Sequence, residues 1–185
     1  MNNLDYDIAI IGSGPGGYVA AIKAAQSNMN VLVIEKKNLG GICLNWGCIP
    51  TKALLRSSEI HEYIQKSSHY GLNSNTSKPD IKKIVQRSRS IAKKLSTGIE
   101  YLFKKNKIKL IYGTATILNN KHINILRDKG DTIKISAKNI IIATGASPKK
   151  INISDNRLHS EIWSYFDAMT PSKIPESLGI IGSGA

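Results

Sequence analysis

A glycine string held between a strand-like run and an alanine-rich run constrains this chain more than any other feature. Tyr6 to Ile11 is short, apolar and β-branched, and it ends at Gly12-Ser13-Gly14-Pro15-Gly16-Gly17. Tyr18 to Ala25 follows, rich in alanine, and Val31-Leu32-Val33-Ile34 then reads as a second buried strand closed by Glu35. A buried strand, a glycine turn, a helix and a second buried strand within about thirty residues make a βαβ unit with a right-handed crossover. In such a unit each glycine has its own task. Gly12 permits the tight turn, Gly14 lets the backbone approach a pyrophosphate, and Gly17 lets the helix pack on the strand. Pro15 and Gly16 complete the loop, and the positive end of the helix favours the phosphate charge. Glu35, 18 residues beyond Gly17, is placed to accept hydrogen bonds from a ribose diol and to disfavour a 2′-phosphate.

The only two cysteines, Cys43 and Cys48, lie five apart and run into Ile49-Pro50-Thr51-Lys52. Two thiols at that spacing suit a small, reducible disulfide better than a long structural bridge. A helix is expected from near Cys48 to about Lys66. Cys48 at its start would have its thiolate stabilised by the helix dipole, and Lys52, one turn on, would add positive charge on the same face. Pro50 is tolerated in that first turn. Trp46, between the cysteines, reads equally as a shield for the disulfide, a channel wall or simple packing. No Cys or His is close enough along the chain to complete a metal set, and His61, His69, His122 and His159 have no companions at ligand or triad spacing.

Asp80 is placed to cap a helix running to about Lys105, with Ile81, Ile84, Val85, Ile91, Leu95, Ile99 and Leu102 on its buried face. Three runs, Ile108 to Ile117, Lys121 to Leu126 and Thr132 to Ser136, read as a β-meander, and Asn139 to Ala143 reads as a further buried strand ending at Thr144-Gly145. A short helix is expected around Trp163 to Met169. Leu178 to Ala185 repeats the opening strand and glycine turn, with Gly182 and Gly184 in the places of Gly12 and Gly14.

The net charge of +13 invites a nucleic-acid reading. The lysines are scattered in pairs, however, with no interleaved aromatic residues to stack on bases, so an acidic protein partner suits the charge better. No apolar run approaches a membrane span and no signal peptide opens the chain, so the expectation is a soluble cytoplasmic protein.

The stretch Leu39-Gly40-Gly41-Ile42-Cys43-Leu44-Asn45-Trp46-Gly47-Cys48-Ile49-Pro50-Thr51-Lys52-Ala53-Leu54-Leu55, joined to the glycine loop, resembles the pyridine nucleotide-disulfide oxidoreductases. Leu44 and the Ile-Pro-Thr-Lys-Ala-Leu-Leu continuation favour the branch acting on lipoamide, although Ile42 and Trp46 stand where Thr and Val are commoner. The resemblance implies an α/β, Rossmann-like FAD-binding domain with a parallel sheet flanked by helices and a small β-meander. It implies FAD held by Gly12, Gly14, Pro15, Gly16 and Gly17 at the pyrophosphate, Glu35 and Lys36 at the ribose, and Ala115 at the adenine. Gly41, Lys52, Thr144 and Gly145 would line the rest of that site, with Lys52 near the flavin.

In the same reading Cys43 is the thiol that exchanges with a dithiol substrate, Cys48 is the thiolate beside the flavin, and NAD is the final acceptor in the whole enzyme. The implied setting is a homodimer serving lipoyl domains of 2-oxo acid dehydrogenase or glycine cleavage complexes, with no role for nucleic acid, membrane or metal. The expected organisation is an FAD-binding domain over residues 1–150, a connecting segment over 151–177, and the first strand and turn of an NAD-binding unit over 178–185. The NAD unit, a returning segment and the partner subunit's His-Glu base of the family have no counterpart here. The expectation is therefore an N-terminal portion that carries the redox centre without turning over alone. The alternative is a non-catalytic remnant with at most residual nucleotide binding.

Overall fold

The computed structural model describes residues 5–74, 78–148 and 162–182. Strand β1 (Tyr6–Ile11) pairs in parallel with β2 (Val31–Glu35) on one side and with β6 (Thr132–Ile142) on the other, and β2 pairs in parallel with β3 (Lys109–Tyr112). Strands β4 (Thr114–Ile117) and β5 (His122–Leu126) extend the sheet antiparallel through the first half of β6, giving the order β3-β2-β1-β6-β5-β4. Helix α1 (Pro15–Gln26) joins β1 to β2, so the expected βαβ unit is present.

Alternation along the central strands sorts two cores. Ile10, Val31 and Val33 face one cluster with Ala21 of α1 and with Ile99 and Phe103 of α4 (Ile81–Lys105). Ala9, Leu32 and Ile34 face the other, where Ile123, Ile125, Ile135 and Ala137 pack on them. Helices therefore cover one face of the parallel sheet, and the antiparallel strands curl over the opposite face. The α/β architecture is as expected, with this difference in what covers the second face.

Two strand boundaries depart from the sequence expectation. The run Ile108 to Ile117 is two strands, because Gly113 passes so close to β5 that an added Cβ would meet the Leu126 carbonyl oxygen at 2.6 Å. Its first half joins the parallel sheet and only its second half joins the meander. The runs Thr132 to Ser136 and Asn139 to Ala143 are conversely one strand. The β5 ladder ends opposite Ser136 and the β1 ladder begins at Ala137, so β6 has a partner along its whole length.

Helix α4 starts as expected, with the Asp80 carboxylate accepting from the Lys83 N–H at 3.2 Å. Its buried side chains Ser88, Ala92, Ile99 and Phe103 form one stripe. Phe103 is 2% exposed and spans the helix-to-sheet contact. Phe103→Ala is expected to cost about 3–5 kcal/mol, read as a drop in the urea midpoint with little change in slope.

Residues Leu178 to Gly182 pair with no strand among the described residues, and Ile180 and Ile181 are 80% and 90% exposed. Gly182 does share the left-handed sense of Gly12, with φ of 108° against 99°. Gly184 and His159 lie outside the described residues. Among the described residues no helix is long and apolar enough to cross a membrane, and no cluster of His, Cys, Asp or Glu is placed to hold a metal.

Candidate redox and nucleotide site

Three glycines, Gly12, Gly17 and Gly41, bring the site's loops together, each by close backbone contact. A Cβ on Gly17 would lie 2.0 Å from the Gly12 carbonyl oxygen, so α1 sits directly on the turn that leaves β1. A Cβ on Gly12 would lie 2.3 Å from the Ala143 carbonyl oxygen and 3.1 Å from the Thr144 Cα. Gly12 thus brings the end of β6, with Thr144 and Gly145, beside the loop. Gly41 has φ of 69° and abuts Gly14, its Cβ position 2.5 Å from the Gly14 Cα. The redox segment is thereby joined to the glycine loop.

Gly14 and Gly16 behave differently. Only one atom, at 3.8 Å, approaches the Cβ position of Gly14, and none approaches that of Gly16. Gly14 is also the N-cap of α1 and offers no side-chain cap, while Pro15 opens the helix. The first N–H groups of a twelve-residue helix therefore meet open space, which fits a pyrophosphate.

Glu35 has work inside the chain. Its Oε2 accepts from the Ser13 N–H at 2.9 Å and from the Ser13 hydroxyl at 2.5 Å. Its Oε1 accepts from the N–H groups of Lys37 at 2.8 Å and Asn38 at 3.2 Å. These four bonds use the approximately four acceptor sites of a carboxylate. Glu35 is the buckle between the glycine loop and the turn after β2. To serve a ribose as well, it would trade one of these donors, and the Ser13 hydroxyl is the one that turns without moving backbone. Ser13 is fully buried and reaches further, its carbonyl accepting from the Gly40 N–H at 3.1 Å. Lys36 is exposed beside this buckle. Ala115 is half-buried on β4 against the second core, and β4 is tied to the end of β2 by the Gly113 N–H donating to the Glu35 carbonyl at 2.8 Å.

The cysteines form the expected disulfide, with Cα atoms 4.8 Å apart. A six-residue helix, α2 (Gly41–Trp46), carries Cys43, and α3 (Cys48–Gln65) starts at Cys48, so Gly47 separates two helices. Cys43 is half-buried and Cys48 is exposed at the start of α3, which has no side-chain cap. Lys52 lies one turn on, exposed. The expected end of α3 near Lys66 is matched by its last residue, Gln65.

Helix α4 supplies a feature that sequence reasoning missed. Its side chains donate to four carbonyls of the redox segment: Ser96 to Leu39 at 2.9 Å, Arg89 to Asn45, Ser88 to Pro50 at 3.3 Å, and Arg87 to Ala53 at 2.9 Å. Asn45 also donates to Leu39 and Gly41, each at 2.9 Å. The Arg89 guanidinium lies over the Trp46 ring, 4.4 Å from its centroid, and partial burial lowers its pKa. The other side of the Trp46 environment is α5 (Tyr165–Met169), whose Phe166 meets the indole edge-on at 4.9 Å. Trp46 is thus held by packing between α4 and α5. The sequence signals for α4 were the Asp80 cap and the apolar stripe, and nothing in the spacing of Arg87, Ser88 and Arg89 named their acceptors.

The profile of the pyridine nucleotide-disulphide oxidoreductases matches residues 6–185. The chain is 45% identical over 181 residues to a dihydrolipoyl dehydrogenase of Zymomonas mobilis, covering 97% of this chain and 38% of that protein. It is 43% identical over 197 residues to one from Rhizobium etli, covering 97% and 40%. Among solved structures it resembles a copper(II) complex of RclA, an HOCl-induced flavoprotein disulfide reductase from Escherichia coli. The TM-score is 0.68 and the identity 28%, over 83% of this chain and 31% of that one. The chain thus spans about two fifths of the length of the relatives it matches.

Proposed function

We propose, from the premise that this chain belongs to the pyridine nucleotide-disulphide oxidoreductase family, that it carries the FAD-holding and disulfide-bearing part of a dihydrolipoyl dehydrogenase. The observation that supports this most is the contact of Gly41 with Gly14, which sets a disulfide-bearing helix pair against the open start of α1. Gly12, Gly14, Pro15, Gly16 and Gly17 would hold the FAD pyrophosphate, Glu35 and Lys36 the ribose side, and Ala115 the adenine side. Gly41, Lys52, Thr144 and Gly145 would border the flavin, and Gly182 and Gly184 would belong to an NAD-binding turn. When bound, FAD supplies the two-electron chemistry that passes hydride to NAD⁺.

The chain's own part is thiol exchange. A dihydrolipoamide thiolate attacks one sulfur of the bridge, and the sulfur with the more stabilised thiolate leaves faster. Cys48 opens α3, whose dipole favours a thiolate there, so Cys48 is the leaving sulfur and Cys43 is the one attacked. The second substrate thiolate then attacks the mixed disulfide at the substrate's own sulfur and releases Cys43. Lipoamide departs with its ring disulfide closed, and the two electrons remain on the Cys43 and Cys48 thiols. Lys52 holds positive charge one turn from Cys48.

Lipoyl domains of 2-oxo acid dehydrogenase or glycine cleavage complexes, NAD⁺ and a second subunit in the cytoplasm belong to the same proposal. The charge of +13 suits an acidic lipoyl-bearing partner. Leu55, Tyr63, Tyr70 and Leu72, all exposed near α3, suit a subunit contact.

Purified chain titrated with FAD should quench flavin fluorescence saturably, and stoichiometric dihydrolipoamide should expose two alkylatable thiols by mass. If neither occurs in folded protein, the reading gives way to a non-catalytic chain that keeps the fold.

A further inference from the structure

Helix α2 ends at Trp46, and Gly47, with φ of −136° and ψ of −115°, breaks the path into α3. The Asn45 carbonyl has no intrahelical N–H to meet four residues on, because the ladder is interrupted there. Arg89 donates to that carbonyl through Nη2 while its guanidinium plane covers the Trp46 ring. Both contacts fall on the short turn between the two sulfurs, and both come from one side chain of a neighbouring helix that carries neither cysteine. The Arg89 Nε is buried with no partner among the described residues, a cost the side chain bears in taking up this pose.

We propose that Arg89 is a positioning residue for the redox pair: it holds the Asn45-Trp46 turn in one conformation whether the cysteines are bridged or reduced. The two thiols then stay at high effective concentration after reduction, and the bridge re-forms readily. The inference needs only the observed disulfide and does not rest on the proposed reaction.

Glutathione provides the test. Two glutathione thiols break the Cys43–Cys48 bond, giving two protein thiols and one glutathione disulfide, so electrons and protons balance. The equilibrium constant is read by alkylation and mass in glutathione buffers of graded ratio. Arg89→Ala is expected to shift it about tenfold toward the dithiol, the size of the conformational freedom that an unpinned turn regains only when the bridge is open.

The sign decides the matter. A guanidinium acting only through its charge would stabilise protein thiolates, so its removal would shift the equilibrium toward the disulfide. That result, or no shift in a folded variant, overturns the proposal. Arg89→Lys retains the charge but not the planar fork, and it should shift the equilibrium in the same direction as alanine. A lysine variant indistinguishable from the parent also overturns it. If Arg89→Ala does not fold, Trp46→Val takes its place, valine being the commoner family residue there. It should shift the equilibrium toward the dithiol, and Arg89→Lys added to it should shift it by less than Arg89→Lys does alone, since the ring contact is already gone and only the Asn45 carbonyl contact is left to lose. Full additivity of the two changes overturns the proposal.

Discussion

Gly17→Ala is expected to destroy the cooperative fold, while the same change at Gly98 is expected to stabilise it. The two substitutions add one methyl to a helix and differ only in what it meets. At Gly17 the new carbon falls 2.0 Å from the Gly12 carbonyl oxygen and 3.6 Å from the Ala143 Cβ. The first of these is backbone, so no rotamer change relieves it. Either α1 lifts from β1 or the Gly12 turn moves into the end of β6. Overpacking a yielding site costs about 1–3 kcal/mol, and this site yields less because both sides are backbone.

At Gly98, in the interior of α4, nothing lies within 4 Å of the added carbon. The gain there is the helix preference of alanine, about 0.5–1 kcal/mol. Thermal unfolding of the two variants beside the parent gives the measurement, with FAD titration as a second readout. Equal melting temperatures for Gly17→Ala and the parent would show that the close approach of α1 to β1 is not needed. The pairing of variants also separates a true steric effect from any general intolerance of alanine in the chain.

The opening βαβ unit was legible because three signals agree over thirty residues: β-branched runs, glycines at fixed offsets and a closing acid. The long α4 was legible because Asp80 caps an apolar stripe, although Leu95 and Leu102 of that stripe are exposed and the buried Phe103 was not among its expected members. Helix α2 was not. Six residues with Leu44 alone buried offer no periodicity, and the helix exists because Gly40 and Gly41 turn the chain at positive φ and Asn45 ties back to Leu39 and Gly41.

The strand errors share a physical origin. Strand ends are set by where a partner's ladder stops, and neither the Ser136 to Ala137 handover nor the Gly113 approach to Leu126 is written in local alternation. Glu35 does stand at the end of β2, and its bonds to Ser13, Lys37 and Asn38 follow from the turn geometry of three separate segments. The Arg89 contacts were invisible for the same reason. A single arginine on a helix reads as a solvated charge until the chain that folds over it is known.

Replacing either cysteine by serine should abolish the two-electron reduction of this chain by dihydrolipoamide, and the thiol each variant keeps should reveal which sulfur does what. Cys43→Ser leaves Cys48 exposed at the start of an eighteen-residue helix, with no side-chain cap competing for its first N–H groups. A thiolate there is stabilised, so its pKa falls. Cys48→Ser leaves Cys43 half-buried within the short α2, where the aligned dipoles are few and burial disfavours the charge.

The rate of iodoacetamide alkylation against pH should therefore show its midpoint at least about one pH unit lower in Cys43→Ser than in Cys48→Ser. Midpoint is the better readout than rate at one pH, because a more acidic thiol is also a weaker nucleophile and the two effects partly cancel. Equal midpoints would remove the helix-dipole argument for either sulfur, and the reverse order would make Cys43 the better leaving sulfur and move the site of substrate attack to Cys48. The exposed sulfur would then be the one that meets the dithiol, and the half-buried one would hold the electrons.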